Sequence, residues 1–438
     1  MRHSTTPASP RPRPRPADRP HLWRGRHCPL DTAPGHRHND LQSRRKIGTA
    51  AGDSRSRATS ATRRAAPDAI GGPVRAGRPR EPWRTLAAQA RLLLPPRPAE
   101  TDRVHAARVA VGLSVPGIAL LVAGRPDLIP YAVFGSFTGM YGRAEPPRQR
   151  LRQQAQAGTI LVAGVSIGLL LATLHARPWA LVAIGAACAA VGSVVTDRLG
   201  LKPAGPFFGI FALGTMATIP AGRVSPGLAV AICAGTALFS VVVTAAAALW
   251  SRSRGARTPA PPPPGDAPRP LGLLIHAARY AIAIAVAGSA GLALGIDHAN
   301  WAMVSAAVPL AAIDKSNHLD PAIRDVVHRG AHRVAGTLTG LALTALLLLP
   351  QPNDAVLAVL VIVLLFPTEL YMLRHYGVAL GFFTPLIMLM TQIANPEAPL
   401  ALVTDRVVDT LIGVAAGIAV AVVIRGPRQV AHGTAIDR

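Results

Sequence analysis

Ionisable side chains stand out in this chain because they are few and adjoin long apolar runs. Asp197, Asp314, Glu369, Asp405 and Asp409 are acids of this kind, and Asp409 lies deepest, one turn beyond Arg406. A carboxylate at the edge of an apolar medium is costly unless it is paired or takes up a proton, so such acids commonly serve function. Asp314, Glu369 and Asp409 are therefore candidates for a carboxylate that titrates. For each, an interfacial ion pair fixing a helix end is the structural alternative, and Arg406 is the expected partner of Asp409. Arg329 and Arg333 are four apart and share a helix face. They either gather anions at a mouth or anchor the chain against anionic lipid heads. Arg148, Arg150 and Arg152 form a similar basic stretch, and Arg108 and Arg279 read as interfacial anchors whose stems lie along apolar surface.

Other constellations point away from enzymes. His328 and His332 share a face, but position 329 is Arg where a zinc protease carries Glu, so a surface pair is the better reading. No Gly-Lys-Ser/Thr phosphate loop and no Gly-x-Ser-x-Gly elbow occurs. Cys28, Cys188 and Cys233 are scattered without metal spacing. The expectation is no enzyme, no metal and no cofactor.

The elements that must position these groups follow from hydropathy. Half the residues are apolar and only 16% are charged, against roughly a quarter charged in soluble domains. From Val104 onward the apolar blocks approach the 20 or so residues that cross a bilayer. Spans are expected near 104–123, 128–142, 158–175, 178–196, 204–220 and 227–250. A second set falls near 275–295, 298–313, 334–350, 354–370, 376–394 and 407–425. The fold class is thus an all-α polytopic membrane protein of about twelve transmembrane helices. Ahead of them, residues 1–100 carry RPRPRP, SRSR and +14 of the net charge of +24 (21 Lys+Arg, 7 Asp+Glu). This composition reads as a disordered cytosolic arm, with no specific nucleic-acid partner expected. A Pro-rich linker at 251–273 joins the span sets (101–250 and 274–425), and a tail covers 426–438.

Loop charge orients the chain. With a cytosolic arm and twelve crossings, eighteen Lys+Arg between Arg143 and Arg438 fall on the inner side. Four fall outside: Arg125, Arg177, Arg223 and Arg406. Such asymmetry is what the positive-inside rule requires, and it puts both termini in the cytoplasm of a plasma-membrane protein.

The halves resemble each other. His105-Ala-Ala-Arg108 is answered by His276-Ala-Ala-Arg279, and AGVSIGLLLATL (163–174) by AGTLTGLALTAL (335–346), at offsets of 171 and 172. Six spans per half make these parallel repeats about an axis along the membrane normal. Gly135/Gly139, Gly164/Gly168, Gly291/Gly295, Gly336/Gly340 and Gly413/Gly417 put small residues on one face for close helix packing. The short spans 128–142 and 298–313 occupy corresponding places. Either they line a central path, as interrupted helices in repeat transporters do, or they are ordinary short helices.

DHANWAMVSAAVPL, then HRGAHRVAGTLTGLALTALL with Arg329 and Arg333 ahead of Gly336-Thr-x-x-Gly340, resembles the fusaric acid resistance-like integral membrane transporters. FFTPLIMLM (382–390) and DRVVDTLIGVAAG (405–417) are similar to later segments of that family. The resemblance covers 275–425 well and 103–250 loosely. It implies an exporter of small aromatic or other organic acids, with the lipid bilayer and an organic anion as partners and homo-oligomerisation left open. A passive anion channel and a non-transporting membrane scaffold are the alternatives. The short Pro-rich linker departs from larger members, whose halves are separated by a sizeable cytosolic domain.

Overall fold

Each of the twelve apolar blocks forms a helix. The computed structural model describes residues 98–254, 270–295, 299–313 and 322–425. The first set is α1 (Glu100–Val122), α2 (Ile129–Ser136), α3 (Pro147–Thr173), α4 (Pro178–Leu199), α5 (Phe207–Ala217) and α6 (Pro226–Ser253). The second is α7 (Pro270–Ala293), α8 (Ala299–Leu310), α9 (Ile323–Leu348), α10 (Asp354–Tyr371), α11 (Tyr376–Ala394) and α12 (Pro399–Val423). There is no strand among the described residues. The arm up to residue 97, the linker core at 255–269, the tail from 426 and Asp314 lie outside the described residues.

Local chemistry sets the helix boundaries. Proline opens α3, α4, α6 and α12, where its missing N–H costs nothing and its fixed φ suits the first turn. Gly200 ends α4 with φ +66°, the left-handed turn that glycine adopts without strain. Asn353 caps α10 by accepting from the Val356 N–H at 3.0 Å. Among the described residues, nine helices (all but α2, α5 and α8) are long and apolar enough to cross a membrane, which makes this a multi-pass membrane protein.

Departures from the hydropathy reading have simple causes. Helices α3 and α9 start at Pro147 and Ile323, each eleven residues ahead of its apolar block at 158 or 334, because their first three turns are largely polar. The block at 204–220 yields only the eleven-residue α5, since Pro203, Pro206 and Pro220 bound it while the flanking apolar residues stretch the hydropathy signal.

The bundle has an inner and an outer layer. All residues of α2, of the 3₁₀ turn Phe137–Met140 that follows it, and of α8 are buried. Eight of eleven in α5 and fourteen of nineteen in α11 are buried as well. The long helices around them present apolar side chains outward, among them Val191, Leu238 and Trp250, as lipid-facing surfaces must.

Packing pairs in the first set are α1 with α6, α2 with α6, α3 with α5 and α3 with α6. In the second they are α7 with α12, α8 with α12, α9 with α11 and α9 with α12. Between the sets, α4 meets α7, α10 meets α1, α5 meets α8, and α11 meets α2. Glycines permit the closest of these approaches. A Cβ at Gly164 or Gly168 would strike the carbonyl oxygens of Gly209 or Leu213 on α5, and one at Gly336 or Gly340 would strike the backbone or side chains of α11. A Cβ at Gly413 or Gly417 would fall on the Ala302 or Ala306 carbonyl of α8. Small residues four apart thus let backbones touch.

Candidate functional site

One end of the bundle is basic and highly ordered by ion pairs. Asp102 of α1 accepts from Arg143 at 2.8 Å and from Arg374 at 2.7 Å. Glu369 of α10 meets His105 at 3.2 Å and Arg143 at 3.9 Å. Arg150 donates to the carbonyls of Gly142, Arg143 and Glu145, which fixes the α2–α3 loop. Glu369, read from sequence as a titrating candidate, is therefore part of the seam between α1 and α10.

Within this end opens a cavity of about 260 Å³, lined by Phe207, Phe208, Phe383, Tyr376, Arg329 and Glu369 among others. Its walls come from α5, α8, α9, α10 and α11. The Arg329 guanidinium lies 4.2 Å from the Tyr376 ring centroid. Because the Glu369 carboxylate is matched by His105 and Arg143, Arg329 sets the charge the cavity presents. Behind it stands an aromatic cluster: Phe134 meets Phe211 at 5.2 Å, Phe137 meets Phe208 at 5.3 Å, and Phe137 meets Phe383 at 5.8 Å between centroids. Each such pair contributes about 0.5–1.5 kcal/mol beyond burial.

Two further arginines continue inward. Arg333, 1% exposed, lies one turn beyond Arg329 on α9. It is 5.8 Å from the Phe207 centroid, with Nη2 at 3.4 Å from Ser305 Oγ of α8. Arg406, 2% exposed, sits on α12 with its guanidinium 4.7 Å from the Trp301 ring of α8. The three cations form a ladder, each beside an aromatic face. A quadrupole offers a desolvated guanidinium partial compensation. It leaves hydrogen-bonding capacity over: Nε and Nη1 of both Arg333 and Arg406 have no hydrogen-bond partner among the described residues.

Asp409 is fully buried on α12, and neither of its carboxylate oxygens has a hydrogen-bond partner among the described residues. The expected contact ion pair with Arg406 is not formed. The two share electrostatic range, but Arg406 faces Trp301, while Asp409 lies toward Gly291 of α7. Arg406, counted from sequence as an outer-loop residue, lies inside a helix. Burying unpaired charge costs several kcal/mol per ion, so this ladder is where an incoming anion would gain most.

The structure brings Arg329, Arg333, Arg406 and Asp409 into one half of the bundle and leaves Glu369 at its basic rim. Arg279 is buried rather than snorkelling, and its Nε donates to the Ile424 carbonyl at the end of α12 at 2.9 Å. Sequence reasoning gave no role to Trp301, Tyr376, Ser305 or the phenylalanines. A signal for the last was present: of nine Phe in the chain, Phe134, Phe137, Phe207, Phe208, Phe211 and Phe383 all gather at the centre.

No solved structure matches the chain. A Bacillus subtilis protein described as an uncharacterized membrane protein, YvaC, is 27% identical over 146 residues, 32% of this chain. The match spans 22% of that protein's length. Residues 282–420, from α7 through most of α12, match the family model for fusaric acid resistance protein-like proteins, so the ladder-bearing C-terminal region of this membrane protein is fusaric acid resistance protein-like.

Proposed function

We propose that this chain is a secondary exporter of small organic anions, aromatic acids in particular, in the plasma membrane. The carrying observation is the ladder of Arg329, Arg333 and Arg406, which leads from an aromatic-walled cavity into the buried core. A planar acid fits that chemistry: its ring meets Phe207, Phe208 and Phe383, and its carboxylate meets a guanidinium fork.

The repeat reading supports a central path. The main packing pairs of the first six helices recur when six is added to both labels, and the pairs α4–α7 and α5–α8 between the sets exchange with α10–α1 and α11–α2. Ala204 and Tyr376 are 172 apart, as are Phe208 and Leu380, and all four line the one cavity. Residues related by a pseudo-twofold meet only near its axis, so the cavity lies where a path between parallel repeats would open. The basic end, with Arg143, Lys202, Arg329 and Arg374, faces the cytoplasm by the positive-inside rule.

Proteoliposomes preloaded with benzoate test the proposal. The expected result is efflux that depends on a proton gradient and falls at least tenfold in Arg333→Gln. Currents that persist with the gradient collapsed would identify a passive channel. Absence of benzoate flux under any gradient would overturn transport of aromatic acids.

A further inference from the structure

The other half of the molecule has an arginine cluster of a different kind. Arg148 and Arg152 in the first turns of α3 and Arg198 at the end of α4 line one cleft of about 550 Å³. No acidic side chain lines it, and none of the three guanidiniums has an ion-pair or hydrogen-bond partner among the described residues. Gln153 holds the wall rigid, donating to the Gly200 carbonyl at 3.1 Å and accepting from the Lys202 N–H at 3.3 Å. Gln156 contributes a buried Oε1, an acceptor without a hydrogen-bond partner among the described residues.

We infer that this cleft binds the headgroup of an anionic phospholipid that carries both a phosphodiester and a free hydroxyl, such as phosphatidylglycerol. Guanidinium forks pair with phosphate oxygens bidentately, and the N-terminus of α3 adds its dipole to the same anion. The Gln156 oxygen needs a donor. A phosphodiester oxygen carries no proton and cannot supply one, whereas a headgroup hydroxyl can. A membrane lipid is favoured over a soluble phosphate because the cleft opens beside exposed Leu199, with exposed Val191 further along α4, a lane for an acyl chain. The second half lacks the site. The positions 172 beyond Arg152, Gln156 and Arg198 are Arg324, His328 and Leu370.

The thermal midpoint of the purified protein in detergent, with added lipid, tests this without reference to transport. Phosphatidylglycerol is expected to raise Tm by several degrees, phosphatidic acid by less, and phosphatidylcholine or inorganic phosphate by nothing measurable. Arg148→Gln, Arg152→Gln and Arg198→Gln together remove the rise, whereas Arg324→Gln keeps it. Gln156→Leu retains the response to anionic lipid but loses the preference for phosphatidylglycerol. Should the triple variant fold poorly, Arg152→Gln alone is expected to weaken the lipid response severalfold. An undiminished rise in the arginine variants, or an equal rise with inorganic phosphate, overturns the lipid site. Equal stabilisation by phosphatidic acid and phosphatidylglycerol in the wild type overturns the hydroxyl assignment.

Discussion

Residues 100–254 and 270–425 share most of their helix pairs, yet they bury different charges. The second region buries Arg279, Arg333, Arg406 and Asp409. In the first, the residues 172 before Arg333, Arg406 and Asp409 are Leu161, Ala234 and Ala237, and its buried charges are the acids Asp102, Glu145 and Asp197. The seams differ less. Glu369, which meets His105, is matched 172 positions earlier by Asp197, and His105 is matched by His276. The two regions thus share their main helix contacts, while the buried arginines at positions 279, 333 and 406 belong to the second. Packing rules constrain both regions alike; among the described residues, fully buried guanidinium charge is found in the second.

The widest gap between the regions is expected in transport. Arg333→Gln or Arg406→Gln removes a charge-assisted donor worth about 1.5–3 kcal/mol, a loss of roughly 10- to 100-fold in anion flux. Leu161→Ala in the first region is expected to change flux less than threefold while lowering Tm. Equal flux losses in both regions, measured in proteoliposomes, would break the comparison.

Glycine substitutions sharpen its other side, because the scaffold should respond similarly in both regions. Gly413→Leu and Gly168→Leu each drive a side chain into a neighbouring backbone carbonyl, and both are expected to cost about 3 kcal/mol or more, through overpacking at a close helix crossing. Gly235→Ala meets nothing within 4 Å and is expected to be neutral or slightly stabilising, since alanine favours a helix by up to about 1 kcal/mol. Thermal unfolding in detergent reads all three.

A smaller effect is expected at the seam. Asp102→Asn weakens the contacts to Arg143 and Arg374. Arg374 is 42% exposed and its contact is screened by salt, whereas Arg143 is mostly buried, so a loss of about 1–2 kcal/mol is expected, read as a lower Tm that added salt lessens only in part. The smallest belongs to the exposed pair Arg125–Asp127 at 2.8 Å. Hydrogen bonding to the Arg125 guanidinium holds the Asp127 carboxyl below its ordinary value of 3.8. A depressed folded-state value stabilises above the unfolded value and is lost as pH falls through the folded one. Between pH 5 and 8, Asp127→Asn is therefore expected to shift Tm by a constant, small amount, and the shift should vanish in 1 M salt. A shift that grows with salt would contradict the pairing.

Much of the fold was legible because lipid imposes a coarse code. Twelve apolar blocks became twelve helices, and the glycine pairs at 164/168, 336/340 and 413/417 marked the faces where helices touch. What hydropathy could not show was where a helix begins in polar sequence, as α9 does at Ile323, or that α5 is cut short by prolines inside an apolar block. Arg329, Arg333, Arg406 and Asp409 could be singled out by the expense of charge near lipid. Their partners could not, because Phe207, Tyr376 and Trp301 come from three other helices and only tertiary packing brings those rings to the guanidiniums. Arg406 and Asp409 illustrate the limit further: spacing along a helix suggested a pair, while neighbouring α7 and α8 draw the two side chains apart.

Helices α2, α5 and α8 have 8, 11 and 12 residues. At 1.5 Å per residue they rise about 12–18 Å, roughly half of a 30 Å hydrocarbon slab. Each therefore ends at a depth that the long helices cross, and because all residues of α2 and α8 are buried, the free N–H and C=O groups at those ends face protein rather than lipid.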